Sequence, residues 1–489
     1  MRLADALPAG ILPPAGAEEI DVLGITAASA AAAPGIIFAG LPGTKADGAT
    51  FIPDAISRGT RVVIAGRGKA AAVPEAVTLL EVDNPHRVLA LIAAKFAGRQ
   101  PDIAVAVTGT SGKTSVADFT RQIFAALGRS AASLGTIGVV KPTGAIYGSL
   151  TTPDPVTLHA TLAGLADEGV THLAFEASSH GLDQHRLDGV RLTAAAFTNL
   201  GRDHMDYHAN VEDYLAAKLR LFTELLQPGQ TAVVNTDGAY ADRVIAAAQQ
   251  RGLNVLTVGS TGDTLRRATL TTDGFRQKMS ITADGKTYEI LLPLVGAYQA
   301  ENALTAAGLA IAAGEDTARV LGSLQTLKGV PGRLEIIGER NGGLAIVDYA
   351  HKPEALSAAL AACRPFVTGK LICVFGCGGD RDKDKRPLMG AIANQEADVA
   401  IVTDDNPRSE VPSAIRAEIL AAAPDAIEIG DRTEAIRHAV GGMGKGDVVL
   451  VAGKGHETGQ IVGTTVLPFS DHAEIKKALS GTEHGQAHE

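Results

Sequence analysis

Read for its spacing of apolar and polar residues, the chain alternates short β-type runs with stretches of helical periodicity from end to end. In residues 1–97 the runs 35–39 and 61–65 are separated by turn signals at Pro42-Gly43 and Asp47-Gly48, which predicts a small α/β module. The apolar run 103–107 leads into a Gly-rich turn and a helical stretch over 114–127, an order of strand, loop and helix that opens a second domain over 98–332. Further runs at 171–175, 193–197 and 231–234 alternate with helical segments, as a parallel sheet covered by helices requires. Asp284-Gly285 between two alternating runs predicts a hairpin. After Pro331-Gly332, runs at 344–348, 371–375, 398–402 and 447–452 predict a third domain over 333–489, α/β and doubly wound. The expected fold class is α/β in three domains.

Bulk properties narrow the function classes. A length of 489 residues exceeds the roughly 250–300 at which a single core stops growing. Hydrophobic residues at 46% and charged residues at 20% suit packed cores and exclude a disordered chain. A net charge of -10 with no Lys/Arg-rich run argues against nucleic acid or an anionic membrane as a partner. No run approaches the roughly 18 apolar residues of a membrane span, and prolines at 8, 13 and 14 interrupt the start before a signal-peptide core forms. Cys363, Cys373 and Cys377 lack paired CxxC spacing and read as core residues in a reducing compartment. A soluble cytoplasmic protein, working as a monomer on small molecules, is expected.

The strongest chemical signal is Gly109-Thr110-Ser111-Gly112-Lys113-Thr114, between a β-run and a helix. Backbone N–H groups of such a loop and the helix N-terminus hold phosphate oxygens, Lys113 adds a point charge, and Thr114 can ligate Mg²⁺. Val107 stands where the usual consensus has glycine, so the loop is a shortened variant. Glu176, just past a β-run, is placed to bind metal or to serve as a surface charge or cap, and His204 after another run is open to the same two readings. In the helical stretch 211–225, Leu215, Lys218, Phe222 and Leu225 fall three and four apart, so Lys218 lies on the apolar stripe. It either snorkels to water or is a buried amine that takes up CO₂ to become a carbamate able to help hold a second Mg²⁺.

In the third domain three segments each follow a β-run: Gly376-Cys377-Gly378-Gly379-Asp380-Arg381, Asp405-Asn406-Pro407-Arg408 and Gly453-Lys454-Gly455-His456-Glu457. Strand ends of an open parallel sheet share one crevice. Arg381 and Arg408 can grip a carboxylate while Asp405 and Glu457 accept from an ammonium, which suits a zwitterionic amino acid.

As an ordered set these segments resemble the Mur ligases, and within them the diaminopimelate-adding members. The resemblance runs the length of the chain, through the phosphate loop, Glu176-Ala177-Ser178-Ser179-His180-Gly181-Leu182, Thr198-Asn199-Leu200-Gly201-Arg202-Asp203-His204, Pro331-Gly332-Arg333-Leu334-Glu335 and Asp348-Tyr349-Ala350-His351-Lys352-Pro353. It implies a UDP-precursor domain, a central ATPase domain and a Rossmann-like amino-acid domain. It implies that Lys113 and Thr114 meet ATP phosphates and Mg²⁺, that Glu176 and His204 are metal ligands, and that Lys218 is the carbamylated lysine. Asn302, Arg333, Asp348 and His351 match positions near the nucleotide; Thr151, Thr152, Ser178, Gln184 and Arg186 match contacts to the UDP-N-acetylmuramoyl dipeptide. Asp405, Asn406 and Arg408, with Arg381, Gly453 and Glu457, match the meso-diaminopimelate site. Arg408 would hold the distal carboxylate that lysine lacks. Relatives commonly carry Asp-Ser-Arg near the uridine; here Ala28-Ser29-Ala30 keeps only Ser29.

The chemistry implied is attack of a D-glutamyl carboxylate on the γ-phosphoryl group, giving an acyl phosphate that an amine then displaces. Closure of the domains is expected, to keep water from that intermediate. The rivals are a lysine-adding relative, a folylpolyglutamate-synthetase-like ligase, and a P-loop protein that uses ATP as a switch.

Overall fold

The structure is a computed structural model and describes residues 1–43, 46–70, 73–146, 150–201 and 207–481. Close contacts divide the chain into two units, Met1–Asp263 with Gly308–Asp316, and Thr264–Ala307 with Thr317–Glu489.

The first unit holds two sheets. Strands β1 (Gly24–Thr26), β2 (Ile36–Gly40), β3 (Val62–Gly66) and β4 (Thr78–Val82) run parallel in that spatial order. The helix Pro85–Ala97 buries Val88, Leu89 and Ile92 in their core. Asn84 caps it by accepting from Arg87 N–H at 3.0 Å, proline sits in its first turn, and Gly98 at φ 72° ends it. The second sheet contains β5 (Ile103–Thr108), β6 (Ala131–Gly135), β7 (Gly138–Lys141), β8 (Gly144–Ile146), β9 (His172–Glu176), β10 (Ala194–Phe197), β11 (Thr231–Asn235) and β12 (Asn254–Gly259). Its order is β12-β11-β10-β5-β9-β6-β7-β8, parallel from β12 to β6 and antiparallel beyond. β5 therefore lies between β10 and β9, and the loop leaving its carboxyl end opens at the crevice where open parallel sheets bind ligands.

In the second unit β13 (Leu265–Asp273), β14 (Arg276–Ala283) and β15 (Lys286–Leu292) form an antiparallel meander. The hairpin expected at Asp284-Gly285 is its second turn: both residues have positive φ, 51° and 71°, as a tight two-residue loop requires. β16 (Glu335–Arg340), β17 (Gly343–Asp348), β18 (Leu371–Phe375), β19 (Val399–Val402), β20 (Ile427–Glu428) and β21 (Val448–Ala452) form a sheet ordered β16-β17-β21-β18-β19-β20, parallel except for β16. β17, β18 and β21 are buried along their whole length, and a separate apolar core lies on each face. That is the doubly wound α/β arrangement the apolar runs predict. A hairpin of β22 (Gly459–Val462) and β23 (Thr465–Pro468) follows.

Cys363, Cys373 and Cys377 are buried free thiols. Burial pushes Cys373 and Cys377 up to about 12 and Cys363 higher still. Arg432 and Asp471 form a fully buried ion pair, with Nε and Nη2 2.7 and 2.8 Å from the carboxylate. Asp471→Ala strands that guanidinium and is expected to cost about 3–5 kcal/mol, read as a lower urea midpoint for the second unit; a loss under about 1 kcal/mol would mean solvent replaces the carboxylate. Among the described residues no helix is long and apolar enough to cross a membrane.

Candidate active site

In the first unit the site grows from three neighbouring strand ends. After β5 the chain turns at Gly109, where φ is 147° and a Cβ would stand 1.9 Å from the Thr198 hydroxyl, so only glycine fits. Gly112, left-handed at φ 88°, begins the helix Lys113–Ala126. Thr110 N–H donates to the Asn199 carbonyl at 2.8 Å and Ser111 N–H to the Asn199 side chain at 3.1 Å. The Thr198 hydroxyl donates to the Ser111 carbonyl at 2.7 Å. The segment leaving β10 thus braces the phosphate loop, a role for Thr198 and Asn199 that sequence reasoning missed although it singled out their motif.

Lys218 settles its own question of exposure: it is 1% exposed, on the buried face of the helix Val211–Arg220 with Leu215. The regular helix stops at Arg220 and a π-type turn, Leu221–Leu225, carries the stripe on through buried Phe222. Lys218 Nζ donates to the Gly109 carbonyl at 2.8 Å and lies 4.3 Å from the Tyr214 ring centroid. Lys113 Nζ donates to the same carbonyl at 3.0 Å and to Thr110 O at 2.9 Å. Two ammonium groups thus meet at one carbonyl oxygen of the phosphate loop.

On the other side of β5, β9 pairs Val107 with Glu176. The Glu176 carboxylate is 1% exposed and accepts from Thr136 N–H at 2.7 Å. Thr136 Oγ1 lies 3.0 Å from Thr151 Oγ1, and the Thr152 hydroxyl donates to the Glu176 carbonyl at 3.0 Å. Ser178 Oγ donates to Thr152 Oγ1 at 3.0 Å while accepting from Gly181 N–H. Arg186 donates to Thr152 O at 2.6 Å and to Gln184 Oε1 at 2.7 Å. Thr151, Thr152, Ser178, Gln184 and Arg186 therefore form one bonded cluster around Glu176, with Thr136 as an addition the sequence did not flag. Between Gln184 and Arg186, His185 adopts φ 53° and is held by Asn84 and Arg220 at 2.8 and 2.7 Å. Burial works to raise the neighbouring Asp188 carboxyl, but His185 and Arg220 hold it below its ordinary value. Ser29 belongs to another group, in a 3₁₀ turn near Asp54, whose carboxyl Ser29 and Arg58 hold below its ordinary value. His204 lies outside the described residues. Among the described residues no three His, Cys, Asp or Glu gather as a metal cage. Thr114, 8% exposed in the first helical turn, and Glu176 are the oxygen donors beside the loop, a set that suits Mg²⁺ shared with phosphate oxygens.

Two groups form in the second unit. Asn302 donates to Gln299 Oε1 at 3.0 Å and Gln299 donates to the Arg333 carbonyl at 3.0 Å. Asp348, at the end of β17, accepts from Leu334 and Ala350 N–H at 2.7 and 2.8 Å, and burial still raises its carboxyl above the ordinary range. The Arg333 guanidinium lies 5.2 Å from the Tyr349 ring centroid, and His351, lowered by burial, packs on the same ring. Asn302, Arg333, Asp348 and His351 are thus brought together.

The ends of β18, β19 and β21 make the other group. Gly379 N–H donates to Asn406 O at 2.9 Å, tying the first loop to the second. Arg408, left-handed at φ 52°, donates from Nη1 to Gly379 O at 2.8 Å, and its backbone N–H donates to Ile461 O at 3.0 Å on β22. A Cβ on Gly378 would stand 2.8 Å from Arg408 Nη1 and 3.9 Å from exposed Arg381. Gly453, at φ 116°, donates to Asp348 O at 3.1 Å. Asn406 donates to Glu457 Oε2 at 3.0 Å. Lys454, to which sequence reasoning gave no role, is fully buried among Asp405, Asn406 and Glu457. The group offers a guanidinium beside two carboxylates, the complement of a zwitterion.

Comparison with known proteins agrees along the whole length. The Mur ligase family catalytic domain matches residues 21–97, the Mur ligase middle domain 107–310 and the Mur ligase glutamate ligase domain 332–455. A UDP-N-acetylmuramoyl-L-alanyl-D-glutamate--2,6-diaminopimelate ligase of Brucella melitensis is 56% identical over 481 residues, 98% of each chain. One from Rhizobium meliloti is 58% identical over 468 residues, covering 95% of this chain and 96% of the relative. A solved structure of a ligase of the same name superposes with TM-score 0.76 at 31% identity, over 98% of this chain and 99% of the other. With all three domain types matched in order and relatives this similar over nearly full length, the chain belongs to the Mur ligase family.

Proposed function

We propose that the chain is an ATP-dependent amide ligase that joins meso-diaminopimelate to UDP-N-acetylmuramoyl-L-alanyl-D-glutamate through an acyl phosphate, a cytoplasmic step of peptidoglycan synthesis. The observation that carries the choice of amino acid is the grouping of Asp405 and Arg408 after β19 with Glu457 after β21, Arg408 being held by the Gly379 carbonyl after β18 and both carboxylates by Lys454. The names of the 56–58% identical relatives support the same reading.

The loop 109–114 takes the ATP phosphates on backbone N–H groups, and Lys113 leaves its resting carbonyls to neutralise the transferring γ-phosphoryl group. Thr114 and Glu176 would hold Mg²⁺, with His204 and Lys218 as its carbamate as further ligands; Mg²⁺ when bound supplies charge stabilisation to the phosphoryl oxygens. Thr151, Thr152, Ser178, Gln184 and Arg186, with Ser29 toward the uridine, bind the muramoyl dipeptide and orient its D-glutamyl carboxylate for in-line attack. Asn302, Arg333, Asp348 and His351 contact the nucleotide. In the amino-acid domain Arg408, with Arg381, holds the distal carboxylate of diaminopimelate, while Asp405, Asn406, Gly453 and Glu457 orient the rest. The free amine attacks the acyl carbon, and the tetrahedral adduct collapses to the amide with loss of phosphate. The domains that divide this work are 1–97 for the UDP precursor, 98–332 for ATP and 333–489 for the amino acid.

Phosphate release from ATP and the UDP-dipeptide is expected with meso-diaminopimelate and not with L-lysine. Equal release with L-lysine would keep a ligase and sink the specificity; release with neither would favour the folate-type or switch readings.

A further inference from the structure

We propose that Lys454 is a positioning residue for the incoming amino acid, its buried ammonium fixing Asp405, Asn406 and Glu457 so that both carboxylates present a free oxygen beside Arg408. The proposal rests on the ligase reading above and adds to it a residue without a direct part in binding.

Lysine heads normally reach water, yet Lys454 is 0% exposed. Its ammonium has three N–H bonds and three acceptors: Asn406 Oδ1 at 2.8 Å, Asp405 Oδ1 at 3.3 Å and Glu457 Oε2 at 3.4 Å. With every N–H used, it has none to give a ligand, and what it can do is hold its neighbours. Asn406 Oδ1 also accepts from Ile461 N–H at 2.9 Å, while its Nδ2 donates to Glu457 Oε2 at 3.0 Å, so the amide has one orientation. Glu457 therefore has Oε2 doubly engaged and Oε1 open, and Asp405 has Oδ1 engaged and Oδ2 open. Side-chain exposures of 11% for Asp405 and 35% for Glu457 leave both side chains open in part to solvent, where Lys454 is not.

The cation also sets the charge. Asp405 and Glu457 both bond its ammonium, which offsets the repulsion between two carboxylates that must face one ligand. Two other buried cations lie in this domain and both are engaged elsewhere: Arg432 gives Nε and Nη2 to Asp471, and Arg386 gives Nη1 and Nη2 to Glu410 and Glu418. Arginine in place of Lys454 keeps the charge but offers a planar fork where three diverging bonds are needed.

The test is steady-state phosphate release by the full chain, varying each substrate in turn. Lys454→Met is expected to raise KM for meso-diaminopimelate about 10–100-fold, with KM for ATP and for the UDP-dipeptide within about twofold of wild type. Lys454→Arg, the variant to rely on if Lys454→Met does not fold, is expected to raise the same KM at least about tenfold with an unchanged circular-dichroism spectrum. A folded variant with unchanged KM for diaminopimelate, or with all three KM values raised alike, overturns the proposal alone. Wild-type protein that releases no phosphate with the three substrates overturns the ligase reading and the proposal with it.

Discussion

Lys218→Ala is expected to slow phosphate release about 10³-fold while leaving the fold intact. The side chain is buried and its amine touches the Gly109 carbonyl beside Lys113, so the wild-type loop holds two cations against one oxygen. As a carbamate the same position would carry a negative charge, attractive to Lys113 and able to hold metal. Two further measurements separate this from plain loss of a buried lysine. Lys218→Arg keeps a cation that cannot be carbamylated, and it should be as slow as the alanine variant. A short carboxylate such as acetate, entering the space left by Lys218→Ala, should restore part of the rate. An active Lys218→Arg would sink the carbamate and leave Lys218 as a structural brace on the phosphate loop.

The second large effect is expected at Arg408. Removing one partner of a desolvated charge pair costs about 2–5 kcal/mol, so Arg408→Leu should raise KM for meso-diaminopimelate about 10²–10³-fold. L-Lysine has no distal carboxylate to lose, and any trace activity with it should change by less than about threefold. The difference between the two amino acids is the diagnostic quantity. Equal losses for both would mean that the Arg408 side chain matters by tying the β19 loop to Gly379, and not by choosing the ligand.

Much of this architecture was legible in the sequence because its central strands are apolar on both faces. The predicted runs 103–107, 371–375 and 447–452 coincide with β5, β18 and β21, which are buried almost throughout. Strands made of small residues left no such trace: Ala-Ala-Ser-Leu-Gly of β6 is fully buried yet reads as a turn-like stretch, and β8 is three exposed residues. The hairpin β22–β23, mostly exposed, was equally silent, although its Ile461 anchors both Asn406 and Arg408. Site residues followed the same rule. Motif residues at strand ends stand out in the sequence, and the structure joins many of the described ones by hydrogen bonds, while Arg381 stays exposed. Thr136, Asn199 and Lys454 act by long-range hydrogen bonds, and nothing in local spacing announces a partner 40 to 88 residues away.

The three thiols have a practical consequence. A thiolate is the reactive form, and burial keeps all three cysteines protonated at neutral pH. Maleimide reagents should therefore pass over the folded chain. One cysteine introduced at an exposed position would be the single fast-reacting handle, so a fluorophore could be attached site-selectively to either unit, and its motion followed through turnover, with the native sequence otherwise untouched.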